Sequence, residues 1–193
     1  MSRRDILLCG VGGQGTVLAS KILARCAIAR GEAAHTAETI GMAQRGGSVT
    51  SHVRVGDSDS PLIPMGGADA IIAFEPAEAV RSIGYLKKSG VVVVNTDAVK
   101  PVTDTLSRSG YTPDVMLDYL KKLPVRVIFV DGGEIARRCG SPRVVNMALL
   151  GAAAAAGAIG TGMEELEAVV ATLAPKFRDA NLKALEMGAE AAE

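Results

Sequence analysis

Ile6-Leu7-Leu8-Cys9-Gly10-Val11-Gly12-Gly13-Gln14-Gly15-Thr16 is the stretch on which the fold turns. A short apolar run closing on a glycine reads as a buried first strand. The glycines that follow predict a tight turn. Thr16 to Arg30 then carries Val17, Leu18, Ile22, Leu23 and Cys26 at spacings of three and four, which predicts a helix with one apolar face. Gly31 stops it, as a glycine just past a helix end does. Strand, glycine turn and helix in that order open a doubly wound α/β sheet. Gly10, Gly12 and Gly15 fit GxGxxG in this context. The first glycine permits the turn, the second lets a phosphate approach the backbone, and the third lets helix and strand pack closely. Free N–H groups and the positive end of the helix then favour an anion. The plainer reading is a tight strand–helix turn and nothing more.

Outward from this turn, strands and helices alternate. Ala33 to Glu38 is an expected second strand, and Thr39 to Gly47, with three glycines, an expected loop. Val49 to Val55 alternates, with Val49, Ser51, Val53 and Val55 on one face and Thr50, His52 and Arg54 on the other. That polar face predicts an edge strand or hairpin that is wet or meets a polar partner. Further strands are expected at Ala70 to Phe74, Val91 to Val94 and Val125 to Val130. Helices are expected at Pro76 to Leu86, Pro113 to Leu123, Arg143 to about Ile159, Met163 to Leu173 and Phe177 to about Ala189, with a helical turn at Gly132 to Arg138. Thr103 to Tyr111 fits neither pattern. The sum is one three-layer α/β/α domain over residues 1–193: a doubly wound, mostly parallel, Rossmann-like sheet with a helical C-terminal third.

Composition narrows the function. The 193 residues hold 21 Lys+Arg and 21 Asp+Glu, so no positive excess exists for nucleic acid or a membrane surface. Aromatic residues are 3%, too few for base stacking. Cys9, Cys26 and Cys139 are scattered, with no CxxC pair, which excludes a four-cysteine iron–sulfur site and a secreted disulfide framework. They read as buried thiols in a reducing cytoplasm. The start, Met1-Ser2-Arg3-Arg4-Asp5, leads into only a short apolar stretch, so no secretory signal is expected. Val144 to Met163 is uncharged and long enough to span a bilayer, but its Ala and Gly content and Asn146 predict a helix buried against a sheet or a partner subunit.

Several residues carry candidate chemistry. Glu38 fits a ribose-binding acid, and equally a plain loop carboxylate. His35 and His52 stand alone, and neither has a partner that would make it a base. No Walker lysine, GxSxG or HExxH pattern occurs. The second loop, Gly41-Met42-Ala43-Gln44-Arg45-Gly46-Gly47-Ser48, sets a guanidinium beside exposed N–H groups, a reasonable contact for an anion or a partner. A solvent-exposed arginine on a turn is the plainer reading. The candidate binding set is therefore Gly10, Gly12, Gly13, Gln14, Gly15, Thr16, Gln44, Arg45, Gly46, Gly47 and Ser48, with no catalytic residue and no metal ligand.

Taken together, these segments resemble the γ-type domain of 2-oxoacid:ferredoxin oxidoreductases. The two glycine loops carry the resemblance, with Ala68-Asp69-Ala70, Phe74-Glu75-Pro76, Gly90, Asn146-Met147 to Leu150-Gly151, and Asn181, Ala184 and Gly188. It covers nearly the whole chain. The Met42-Ala43-Gln44-Arg45 form is most similar to the small subunit of the indolepyruvate enzymes. Pyruvate and 2-oxoglutarate γ-subunits usually carry an aromatic where Ile40 stands and an acid near Gln44. The resemblance implies decarboxylation of a 2-oxoacid on thiamine diphosphate, electron transfer through iron–sulfur clusters to ferredoxin, and capture of the acyl group by coenzyme A. This chain has neither cluster cysteines nor a thiamine-diphosphate signature with its magnesium ligands. Those groups are expected on a larger partner subunit in a cytoplasmic hetero-oligomer. The Ala-rich helix and the Thr50, His52, Arg54 face, both in need of neighbours, are the surfaces that suggest docking. Two other readings compete: an autonomous Rossmann-type NAD(P)- or FAD-binding reductase, and a regulatory module sensing a nucleotide or acyl-CoA.

Overall fold

A computed structural model describes residues 3–40, 47–98, 112–173 and 175–192. Among the described residues, six strands form one sheet: β1 (Arg4–Val11), β2 (Ala34–Ile40), β3 (Ser48–Val55), β4 (Ala68–Ala73), β5 (Leu86–Asn95) and β6 (Arg126–Val130). Their spatial order is β2-β3-β1-β4-β5-β6. β1, β4, β5 and β6 pair in parallel, while β3 runs antiparallel to both of its neighbours, β1 and β2. The helices are α1 (Thr16–Ala29), α2 (Pro76–Ser82), α3 (Pro113–Lys121), α4 (Gly132–Cys139), α5 (Val145–Ala155), α6 (Met163–Ala171) and α7 (Arg178–Glu190).

The period-2 rule sorts β1 between two cores. Ile6 and Leu8 point into the larger one, with Ile22, Leu23 and Cys26 of α1, Leu149 and Leu150 of α5, and Leu185 of α7. Leu7 and Cys9 point to the other face, with Ala79 of α2 and Leu120 of α3. A strand buried on both faces explains why its sequence is apolar without alternation.

Three expectations change. The polar face of β3 is not wet and β3 is not an edge strand, because β2 is the edge strand and His52 and Arg54 are 4% and 5% exposed. The hairpin alternative holds, since β2 and β3 are consecutive and pair antiparallel. The segment between β3 and β4 folds over them. Arg54 donates to Ser60 O at 2.8 Å and Leu62 O at 2.9 Å, and pairs with the buried Asp5 at 2.9 Å. His52 Nδ1 accepts the Ile63 N–H at 3.1 Å, and its ring meets Tyr85 edge-on. Burial and the neighbouring Arg54 push the imidazole pKa down, so His52 is a neutral structural acceptor. Next, the helix expected to reach Leu86 stops at Ser82. A 3₁₀ turn, Ile83–Tyr85, hands the chain directly to β5. Finally, Arg143 to Ile159 is not one helix. A 3₁₀ turn, Pro142–Val144, precedes α5, and Gly157, at φ 67°, follows its end.

The uncharged helix is covered within the chain. Asn146 to Ala153 of α5 are all buried. A Cβ on Gly151 would stand 1.9 Å from Leu185 O, and one on Gly188 1.9 Å from Ala148 O, so only glycine lets α5 and α7 cross this closely. Among the described residues, no helix is long and apolar enough to cross a membrane.

Candidate functional site

β1 feeds α1, which packs on the face that holds the larger core and leads to β2. β4 feeds α2, which packs on the opposite face and leads to β5. The connections therefore part between the carboxyl ends of β1 and β4, the place where open α/β sheets bind ligands. The GxGxxG turn sits at this point.

Its glycines have separate reasons. A Cβ on Gly10 would stand 2.8 Å from the Phe74 Cβ of the adjacent strand end. Gly15 has φ 87° and lies against Asn146, whose amide nitrogen would be 2.8 Å from an added Cβ. Gln14 crosses the turn. Its Oε1 accepts the Val11 N–H at 2.8 Å, and its Nε2 donates to Phe74 O at 3.1 Å. The Phe74 carbonyl also accepts from Asn95 Nδ2 at 3.2 Å, while Asn95 Oδ1 accepts the Gly132 N–H at 3.0 Å. Two amide side chains thus tie the carboxyl ends of β1, β4 and β5 to the start of α4.

Above this floor lies a cleft of about 510 Å³. Its lining includes Gly13, Gly15 and Leu18 at the glycine turn, Asn95 and Asp97 at the end of β5, and Arg143 and Asn146 around the start of α5. No described group accepts from the N–H of Gly13, Gly15, Thr16, Val17 or Leu18. α1 has no side-chain cap, so its first-turn donors and the positive end of its dipole are left to the cleft. Asn146 is 2% exposed, lines the cleft, and gives its Nδ2 to no described acceptor. Arg143 is exposed and pairs with no described carboxylate. Asp97 is the one acid of the lining, and its carboxylate leans over Gly133 at the N-terminus of α4. The cleft thus offers backbone donors, an amide and a guanidinium, with an apolar patch at Leu18, which is 41% exposed.

Of the residues expected to bind, Gly13, Gln14 and Gly15 reach the cleft wall. Gly10 and Gly12 shape the turn behind it, and Thr16 is buried at the start of α1. Gly47 meets the first loop, since its carbonyl accepts the Gly12 N–H at 2.9 Å. Ser48 donates to Glu78 Oε2 of α2 at 2.6 Å, and Glu78 is in turn paired with Arg81. Gln44, Arg45 and Gly46 lie outside the described residues, as do Gly41, Met42, Ala43 and the segment Thr103 to Tyr111. Glu38 lies within β2 and not in a loop. Its nearest described partner is Ser20 Oγ at 3.5 Å, and it does not line the cleft. Glu75, beside Phe74, accepts the N–H groups of Ala77 and Glu78 and so starts α2. Asn146 and Arg143 were missed because neither belongs to a glycine loop. Two signals pointed to Asn146 without placing it at the cleft: a polar residue inside an otherwise apolar helix, and its place in the segment Asn146 to Gly151 that carries the family resemblance.

The described residues do not fit an iron–sulfur cluster. Cys9 and Cys26 are buried on opposite faces of the sheet. Burial raises their thiol pKa values to about 12 and about 11, so neither is a ready thiolate ligand. Among the described residues, no three His, Cys, Asp or Glu side chains gather as a metal site would need.

A doubly wound sheet with a glycine-turn cleft at its switch point defines a general class of α/β protein. The chain belongs, within that class, to the pyruvate ferredoxin/flavodoxin oxidoreductase family, which it matches over residues 5–191. It is 45% identical to the indolepyruvate oxidoreductase subunit IorB of Archaeoglobus fulgidus, over 96% of this chain and 94% of that one. It is 31% identical to the pyruvate/ketoisovalerate oxidoreductases common subunit gamma of Thermococcus kodakarensis, over 94% and 93%. The crystal structure of the keto/oxoacid ferredoxin oxidoreductase gamma subunit of Geobacter sulfurreducens superposes with a TM-score of 0.71, at 26% identity, over 98% of each chain. The resemblance noted in the sequence thus holds. The chain is a subunit of a 2-oxoacid ferredoxin oxidoreductase, and so one part of a multi-subunit assembly.

Proposed function

We propose that this chain is the non-cofactor-carrying subunit of an arylpyruvate, most specifically indolepyruvate, ferredoxin oxidoreductase, and that its cleft holds the phosphate end of coenzyme A. The higher identity to the indolepyruvate subunit than to the pyruvate/ketoisovalerate one supports the aryl substrate. The coenzyme A role rests on one observation above others. Unclaimed backbone donors, the buried Asn146 amide and the Arg143 guanidinium converge on one cleft at the start of α1. Arg45, from the second loop, is included in the proposal as a further cation.

In this reading, thiamine diphosphate with its magnesium, and the iron–sulfur clusters, belong to the larger subunit. They supply decarboxylation and electron transfer to ferredoxin there. The residues of this chain bind and orient. Gln14 and Asn95 hold the turn, the N–H groups of Gly13 and Gly15 and the Asn146 amide donate to phosphate oxygens, and Arg143 closes the rim. Leu18 gives an apolar seat to the uncharged part of the ligand.

Titration of coenzyme A into the assembled enzyme by calorimetry tests this. Loss of one charge-assisted hydrogen bond costs about 1.5–3 kcal/mol. Arg143→Ala is therefore expected to raise Kd by roughly tenfold or more, and Arg45→Ala to raise it as well. An affinity equal to wild type in either variant removes that arginine from the site.

A further inference from the structure

Both surfaces that suggested docking in the sequence are covered from within, α5 by α7 and the His52–Arg54 face by the segment before β4. An apolar surface that no described segment covers lies at the amino edge of the sheet. A groove of about 460 Å³ opens there, walled by Leu86 at the start of β5 and by Leu123, Pro124 and Val125 just before β6. Met65, 68% exposed, lies over Gly84 and extends the apolar surface. The charged residues of the lining are Lys87 and Lys88. Lys87 is neutralised by Asp69 at 2.6 Å. Lys88 is exposed and has no described carboxylate partner, and neither has Lys122 beside Leu123.

An apolar floor with an uncompensated positive rim has the anatomy of a protein interface. It disfavours a second copy of this chain, because a two-fold contact would set like rims against each other. Leu86 pairs with Ala68 and Val94 with Ala73, the two ends of β4, so the groove and the Asn95 end of β5 lie roughly 17–20 Å apart at the rise of an extended strand. An occupant of the groove therefore leaves the glycine-turn cleft open. We propose that the groove seats an acidic segment with apolar side chains from the larger subunit, which anchors this chain at the end remote from its cleft. This rests on the reading of the chain as a subunit that works with a larger one.

The test measures the dissociation constant between the full-length chain and the larger subunit of its complex, at low and moderate salt. Both substitutions in Lys88→Glu/Lys122→Glu are on exposed side chains, so the fold is kept. Wild type is expected to bind more weakly as salt rises. The double variant is expected to bind tenfold or more weakly than wild type at low salt. Wild-type binding with an unchanged variant overturns the groove and leaves the subunit reading intact. Failure of wild type to bind the larger subunit overturns both. An intact complex whose only change is a higher KM for ferredoxin overturns the proposal in favour of the electron carrier. Loss of a homodimer in the variant overturns it in favour of a second copy.

Discussion

Both ends of the Gln14 amide are engaged inside the chain, on Val11 and Phe74, which makes it a strut of the turn. The sequence placed Gln14 among the binding residues because it stands inside GxGxxG. Spacing does not show which way a side chain turns. Asn146 is the converse case, outside both glycine loops yet facing the glycine turn. Glu165 belongs to the same scale. Its Oε2 accepts the Gly162 N–H at 2.7 Å, and its Oε1 meets Arg30 at 2.9 Å. The Gly162 hydrogen bond, then Arg30, hold its carboxyl pKa below the ordinary 4.5. A carboxylate so shifted stabilises the fold while ionised. The contribution is complete above pH 4.5 and is lost as pH falls through the lowered value. Thermal melts should therefore show Glu165→Gln less stable than wild type at neutral pH, with the gap closing below pH 4.5. A gap that stays constant down to acid pH contradicts this.

At the scale of elements, α5 and α7 are held at backbone contact by Gly151 and Gly188. The carbonyls opposing a new Cβ there belong to helices and cannot turn aside. Overpacking of this kind typically costs about 1–3 kcal/mol. Gly188→Ala is expected to lower Tm by several degrees, measured by thermal unfolding of the complex-free chain, and an unchanged Tm contradicts the close crossing. The elements themselves were largely legible. β1 and α1 followed from apolar runs and three-to-four spacing, and β6 from a β-branched run beside Phe129. Legibility failed where tertiary cover decides. The alternation of Thr50, His52 and Arg54 reads as a wet face, yet the segment from Ser60 to Ile63 covers it with hydrogen bonds to His52 and Arg54. Nothing in that segment's local pattern reveals where it packs. Similarly, Leu86 continues an apolar spacing from α2, while its pairing with Ala68 assigns it to β5.

For the whole molecule, the scattered cysteines and the near absence of aromatic residues become a statement about labour. Cys9 and Cys26 are neutral buried thiols on opposite sides of one sheet, and the cleft offers donors for an anion, with Asp97 the one acid of its described lining. Under the proposed function, a chain of this make-up binds and docks while a larger subunit carries the redox groups. The most direct measurement is coenzyme A-dependent reduction of ferredoxin by indolepyruvate, followed with this chain alone, the larger subunit alone, and the two reconstituted. The account predicts activity only in the reconstituted pair, with indolepyruvate turned over faster than pyruvate. Ferredoxin or NAD reduction by the isolated chain, or full coenzyme A-dependent activity of the larger subunit without it, would contradict the account.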